Sequence, residues 1–274
     1  MSRPASPARR GRANKSTDIS PRNAHPAATR KKPQTATLPK SYFQRSELPL
    51  TSLFFLLPLL AFYELGTWQF TSDRWHVTER RVIAFDLLQE FFGFFRATGR
   101  FLPALAVVAI MLAWHILRRD TWRLRLIDLP AMALESTILA APMILLGYAA
   151  AVYFEHRTLI GSAQTRGLLV LSIGAGIYEE LVFRLIAFNL LAFILIDLWK
   201  VPKVKGYLLV VFISAILFAA YHYLGAEPFS WRTLAFRTAA GMYFGAIYMT
   251  RGFGVTAGTH AAYDLMIVGL GLTS

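Results

Sequence analysis

The sequence predicts an all-α fold: a polytopic bundle of about seven transmembrane helices, with a short eighth as the alternative count, behind a disordered basic N-terminal tail. Three observations carry this. The 274 residues are 55% hydrophobic and only 16% charged, well below the quarter usual in soluble domains. The apolar residues gather in runs of the ~20 positions that a helix needs to cross hydrocarbon. The charge is lopsided: residues 1–45 hold eleven Lys and Arg against the single acid Asp18, which is +10 of the chain's +13.

Residues 1–45 are rich in Pro, Arg, Lys, Ser, Thr and Ala, with almost no large apolar side chain. Such a segment cannot bury enough surface to offset the entropy of ordering. It reads as a cytoplasmic tail that sets orientation and touches anionic lipid. Two other roles compete with that one. An organelle transit peptide is equally basic, but six prolines oppose the amphipathic helix it needs. Nucleic-acid binding is the weakest reading, because no aromatic side chain is interleaved with the charges before Tyr42.

The first apolar run begins near Leu48, so no cleavable signal peptide is evident. Seven candidate spans follow, at about 48–70, 100–117, 131–154, 167–197, 206–224, 231–250 and 254–272. The fourth is longer than one crossing and reaches toward Trp199. The stretch 80–97 opens on Arg80 and Arg81 and is otherwise dominated by Phe, Leu and Ile. Charged ends suit it to the interface as an amphipathic helix, with the eighth span as its other reading. Arg118, Arg119, Arg123, Arg125, Lys200, Lys203, Lys205 and Arg251 fall in inner loops if the tail is inside, which gives an N-terminus in the cytoplasm and a multi-pass protein of the plasma (inner) membrane. The chain has no cysteine, which excludes disulfides, thiol catalysis and cysteine-ligated metal.

Three spans carry polar residues that hydrocarbon penalises. In the fourth, Glu179, Glu180 and Arg184 lie mid-helix, and each charge there costs about 2.5–3.5 kcal/mol on insertion scales. Glu180 and Arg184 are four apart and can pair on one face. Glu179 lies about 100° round the helix and has no local partner. A desolvated, unpaired carboxylate takes up a proton readily, which suits a general base. A purely structural polar cluster is the other reading. The fifth span brings Ser214, Phe218 and His222 to one face; the seventh brings His260 and Asp264, four apart, so that the carboxylate can set the imidazole's tautomer and charge. A depth mismatch accompanies these positions: His222 lies about 24 Å along its span and His260 about 9 Å along its own. The two meet only if a span is offset, tilted or starts within a cavity, and the Arg251-Gly-Phe-Gly turn could be such a recessed start.

The three motifs, Glu179-Glu180-x-x-x-Arg184, Phe218-x-x-x-His222 and His260-x-x-x-Asp264, resemble the CAAX prenyl protease and bacteriocin-processing (CPBP, Abi) family of glutamate-type intramembrane endopeptidases. The resemblance covers roughly 130–272. It divides the chain into the tail (1–45), N-terminal membrane helices with the interfacial helix (46–129), and a catalytic membrane domain (130–274). It implies a hydrolase in which Glu179 activates water, Glu180 and Arg184 orient, His222 positions water or substrate, and His260 with Asp264 stabilises the oxyanion. Phe218 and Ser214 would support the substrate pocket. The chain departs from the pattern at Asp264, where the best-studied members carry asparagine. An ionised aspartate cannot donate to an oxyanion, so Asp264 is expected to hold His260 as a charged donor.

The implied substrate is a membrane-associated or lipid-modified protein or peptide, with no cofactor and no nucleic acid. Other readings stay open. Zinc held by Glu179, His222 and His260 would make a metalloprotease of the same residues. A non-catalytic peptide-binding, maturation or immunity factor could reuse the scaffold. A proton-coupled transporter is disfavoured by the lack of an inverted repeat. No Gly-x-Ser-x-Gly elbow, His-Glu-x-x-His pair or Gly-x-Gly-Asp motif is present for the serine, zinc or aspartyl types.

Overall fold

Backbone amides in hydrocarbon must be satisfied within their own segment, and only a helix does that without a closed sheet. The computed structural model describes residues 38–71, 80–154, 162–225 and 227–271, and among them every regular element is helical. Residues 1–37, most of the expected tail, lie outside the described residues, as do 272–274 at the end of the seventh expected span.

The elements are α1 (Tyr42–Ser46), α2 (Pro49–Gly66), α3 (Ile83–Phe94), α4 (Leu102–Arg118), α5 (Asp128–Phe154), α6 (Ser162–Gly174), α7 (Asn189–Ala192), α8 (Lys203–Tyr221) and α9 (Trp231–Gly269). Pro49 and Pro103 sit in the first turns of α2 and α4, where a missing N–H costs nothing. From α6 to Leu198 the chain stays helical, but its hydrogen bonding widens to the π pattern over Ala175–Glu179, Leu181–Phe188 and Phe193–Leu198. Four described helices are long and apolar enough to cross a membrane: Pro49–Thr71, Asp128–Ala149, Thr165–Leu198 and Lys203–Leu224. Leu102–Arg118 is apolar but shorter, so the expected count of seven is not reached by length and composition.

The sixth and seventh expected spans are two arms of α9. They meet at Gly252, whose φ of 74° and ψ of −177° break the helix and which a side chain would strain. Arg251 anchors the break. Its Nη2 donates to Glu135 Oε2 and to Ser46 Oγ, each at 2.8 Å, and its Nη1 to the Phe43 carbonyl. Tyr42 donates its hydroxyl to the same Glu135 oxygen at 2.6 Å. A residue expected in an inner loop is thus bound between α1 and α5. From Phe253 to Ala261 the second arm is buried without interruption.

Residues 38–45, counted by composition in the basic tail, are ordered instead. Arg45 is 4% exposed and grips Asp128 through two hydrogen bonds of 2.7 and 2.8 Å. That bond raises the Arg45 pKa above the ordinary guanidinium value. Composition treats Arg45 as one more solvated charge because its partner is 83 residues away. The helix expected over 80–97 spans Ile83–Phe94 and is not among the span candidates. It buries Ala84, Phe85 and Leu88 and leaves Phe91, Phe94 and Phe95 exposed.

Removing one partner of a buried ion pair strands the other charge. Asp128→Ala is therefore expected to cost about 3–5 kcal/mol, and the apolar replacement Arg45→Met with Asp128→Leu much less. Thermal unfolding in detergent measures both; equal losses would show that α1 is held by something else.

Candidate active site

Glu179 and Glu180 sit where the long helix changes hydrogen-bonding pattern, at the junction of the first two π segments. Such widened turns are rare and concentrate at functional sites. Close approach of two backbones makes this one possible. A Cβ on Gly176 would stand 2.6 Å from the Ala261 amide nitrogen and 2.7 Å from the Ala257 carbonyl oxygen. The turn bearing the glutamates therefore lies directly on the α9 turn bearing His260.

Arg184 and Glu180 are both fully buried, with the Arg184 Nε 3.0 Å from Glu180 Oε2. The angle is outside hydrogen-bond alignment, and neither atom has another hydrogen-bond partner, so the contact is ionic. Arg184 Nη2 donates to the Gly241 carbonyl at 3.1 Å, and the guanidinium lies 4.5 Å over the Phe218 ring. The other oxygen of Glu180 meets His260 Nδ1 at 2.8 Å. Phe244 stacks on the His260 ring at 4.6 Å with an interplanar angle of 16°. This fixes the far nitrogen: Nε2 lies 3.8 Å from Glu179 Oε2 and 3.5 Å from Asp264 Oδ2.

His222 ends α8. Its Nδ1 is 2.8 Å from the Phe218 carbonyl, and a carbonyl only accepts, so Nδ1 carries a proton; in the neutral ring Nε2 then presents its lone pair. That Nε2 is also 3.8 Å from Glu179 Oε2. Glu179 Oε1 accepts from the Tyr221 hydroxyl, while Oε2 is buried with no hydrogen-bond partner. Two imidazole nitrogens and one carboxylate oxygen, from three helices, thus face one another just beyond direct hydrogen-bond range.

Five of the eight residues singled out in the sequence, Glu179, Glu180, Arg184, His222 and His260, meet here, with Asp264 at the edge and Phe218 packed beneath both imidazoles. Two details differ from expectation. The carboxylate that bonds His260 most closely is Glu180, at Nδ1, rather than Asp264. Ser214 is buried with its hydroxyl on the Val211 carbonyl of its own helix, so that hydrogen bond does not reach the cluster. Sequence reasoning missed Tyr221 and Phe244. The signal for Tyr221 was a hydroxyl three residues past Phe218, inside the same motif; Phe244 carries none. Among the described residues no group of three or more His, Cys, Asp or Glu side chains is arranged to hold a metal ion.

Residues 161–266 match the family model described as type II CAAX prenyl endopeptidase Rce1-like. No curated protein and no solved structure matches the chain. The matched segment contains the whole cluster. Over residues 161–266 the chain is thus similar to the CAAX prenyl endopeptidases, and four of its described helices are long and apolar enough to cross a membrane.

Proposed function

We propose that the chain is a glutamate-type intramembrane endopeptidase that hydrolyses a peptide bond near the terminus of a membrane-associated, lipid-modified protein, without a metal. One observation carries the mechanism: Glu179 Oε2, buried and without a hydrogen-bond partner, lies 3.8 Å from Nε2 of both His222 and His260. Polar groups at that spacing suit a bridging water. Glu179 Oε2 and the lone pair of His222 Nε2 each accept one of its hydrogens, and protonated His260 donates to its oxygen. A lone pair remains for attack.

The step balances within these residues. The water oxygen bonds to the substrate's carbonyl carbon, and its proton passes to Glu179. The carbonyl π electrons become an oxyanion that His260 Nε2–H stabilises, with the imidazolium flanked by Glu180 at Nδ1 and Asp264 at Nε2. Collapse breaks the C–N bond, and the Glu179 proton leaves on the amine. Tyr221, donating to Oε1, leaves Oε2 as the basic oxygen. Phe218 walls the pocket under both imidazoles.

The matched family's description supports a prenylated C-terminal substrate, which the apolar helices around the cluster suit. The +10 tail supports a cytoplasmic N-terminus in the plasma membrane, where anionic lipid is its partner. A peptide-binding factor would have no use for an unpartnered carboxylate facing two imidazoles.

Cleavage of a fluorogenic farnesylated peptide ending in Cys-aliphatic-aliphatic-X tests the proposal. Glu179→Gln is expected to lose at least about 10³-fold in kcat, as removal of a base essential to the step should; near-normal turnover would sink the assignment. Tyr221→Phe deletes one hydrogen bond to a charged group, worth about 1.5–3 kcal/mol, and is expected to lower kcat roughly 10- to 100-fold. Turnover should survive stringent chelation, with no zinc found by metal analysis of the purified protein. Activity lost to a chelator and restored by zinc would overturn the metal-free reading.

A further inference from the structure

A second buried ion pair lies outside the cluster. Arg81 Nη1 is 2.8 Å from Glu64 Oε2, and both side chains are at least nine-tenths buried. Glu64 is the lone acid of the span Pro49–Thr71. Stability is a weak account of such a pair, since desolvation offsets most of its Coulomb gain. The other Glu64 oxygen points to a different account: Oε1 accepts a hydrogen bond from the Tyr178 hydroxyl at 3.1 Å. Tyr178 immediately precedes Glu179 in the π-helical turn.

The surroundings make a rigid box. Tyr178 is fully buried, with the Tyr63 ring 5.3 Å away and the Phe85 ring edge-on at 5.1 Å. The Arg81 guanidinium caps Phe85 at 4.4 Å and Tyr63 at 5.3 Å. Gly174, at the start of the turn, has no room for a Cβ against the Tyr63 ring. A π turn is a rare departure from the α pattern, and contacts on two sides hold this one in its rotational setting. On one side Gly176 rests on α9; on the other, Tyr178 is the only residue of Ala175–Glu179 whose side chain makes a hydrogen bond to α2.

We propose that Glu64 and Arg81 are positioning residues for Glu179: by holding the Tyr178 hydroxyl they set the rotation of the π turn, and so aim the neighbouring carboxylate at the two imidazoles. This rests on Glu179 being the base. Glu64, Arg81 and Phe85 all lie outside the matched segment 161–266, so the chain's N-terminal helices contribute to the geometry of the reaction.

The test uses the full-length protein in detergent with the variants Glu64→Gln, Tyr178→Phe and their combination. On the farnesylated peptide each single variant is expected to lower kcat about 10- to 100-fold, the scale of a small misplacement, with KM within about twofold. The double variant should be no worse than the worse single, because both cut one connection. Hydrogen–deuterium exchange of the segment 174–181 should quicken in all three while α8 is unchanged. Tyr178→Phe keeps the ring packing, so it reports even if Glu64→Gln fails to fold. Additive losses, or unchanged exchange at the π turn, would overturn the proposal, as would a lower Tm with unchanged kcat per folded enzyme. Exchange needs no substrate: should Glu179→Gln still cleave, the base assignment falls, and exchange alone still decides whether Glu64 governs the turn.

Discussion

Arg184 is buried without any exposure among apolar helices, and the neighbouring polar groups are arranged around its charge. A guanidinium taken out of water costs several kcal/mol unless it is paired and hydrogen-bonded. Glu180 supplies the counter-charge, the Gly241 carbonyl an acceptor, and the Phe218 and Phe244 rings two polarisable faces. Once Glu180 is held by Arg184 through Oε2, its Oε1 is fixed where His260 Nδ1 finds it. The direction of the His260 Nε2 atom, and hence the space before Glu179, follows from the burial of an arginine on a different helix. Loss of that arginine would strand Glu180 before it touched any reacting atom.

The same economy of polar groups shapes the backbone. Glu179 and Glu180 are adjacent, yet one faces the imidazoles and the other the guanidinium and His260 Nδ1. The widened turn from Ala175 accommodates both, and its contact with α9 through Gly176 brings the carboxylates to the histidine. On α9 the break at Gly252 lets the second arm start beside α1 and α5, anchored by Arg251 on Glu135. His260 follows that break by two turns of buried helix, so it starts from inside the protein rather than from a surface loop.

Much of this was legible in the chain. Helical spacing of four placed Glu180 with Arg184, Phe218 with His222, and His260 with Asp264, and the Arg251-Gly-Phe-Gly turn pointed to a recessed start that reconciles the two histidine depths. What spacing cannot show is contact between helices far apart in sequence. Tyr221 reaches Glu179 across 42 positions, Arg45 reaches Asp128 across 83, and Tyr178 reaches Glu64 across 114. Glu64 was a visible anomaly, a single acid in an apolar span, but its countercharge, Arg81, follows seventeen residues later beyond the helix end. Length and composition pick out four of the seven expected spans among the described helices, and the sixth and seventh are two arms of one bent element, α9.

In the sequence Glu179 and Glu180 are equivalent, and the fold makes them unequal. Both oxygens of Glu180 are committed, one against a guanidinium and one to an imidazole. Glu179 is held only at Oε1, by a neutral phenol, and its Oε2 faces two ring nitrogens without bonding to either. A general base needs an uncommitted lone pair aimed at the nucleophile and a second oxygen anchored well enough to keep that aim. Of the carboxylates in the cluster Glu179 meets both conditions, and that inequality, more than the adjacency of two glutamates, supports assigning it the proton transfer.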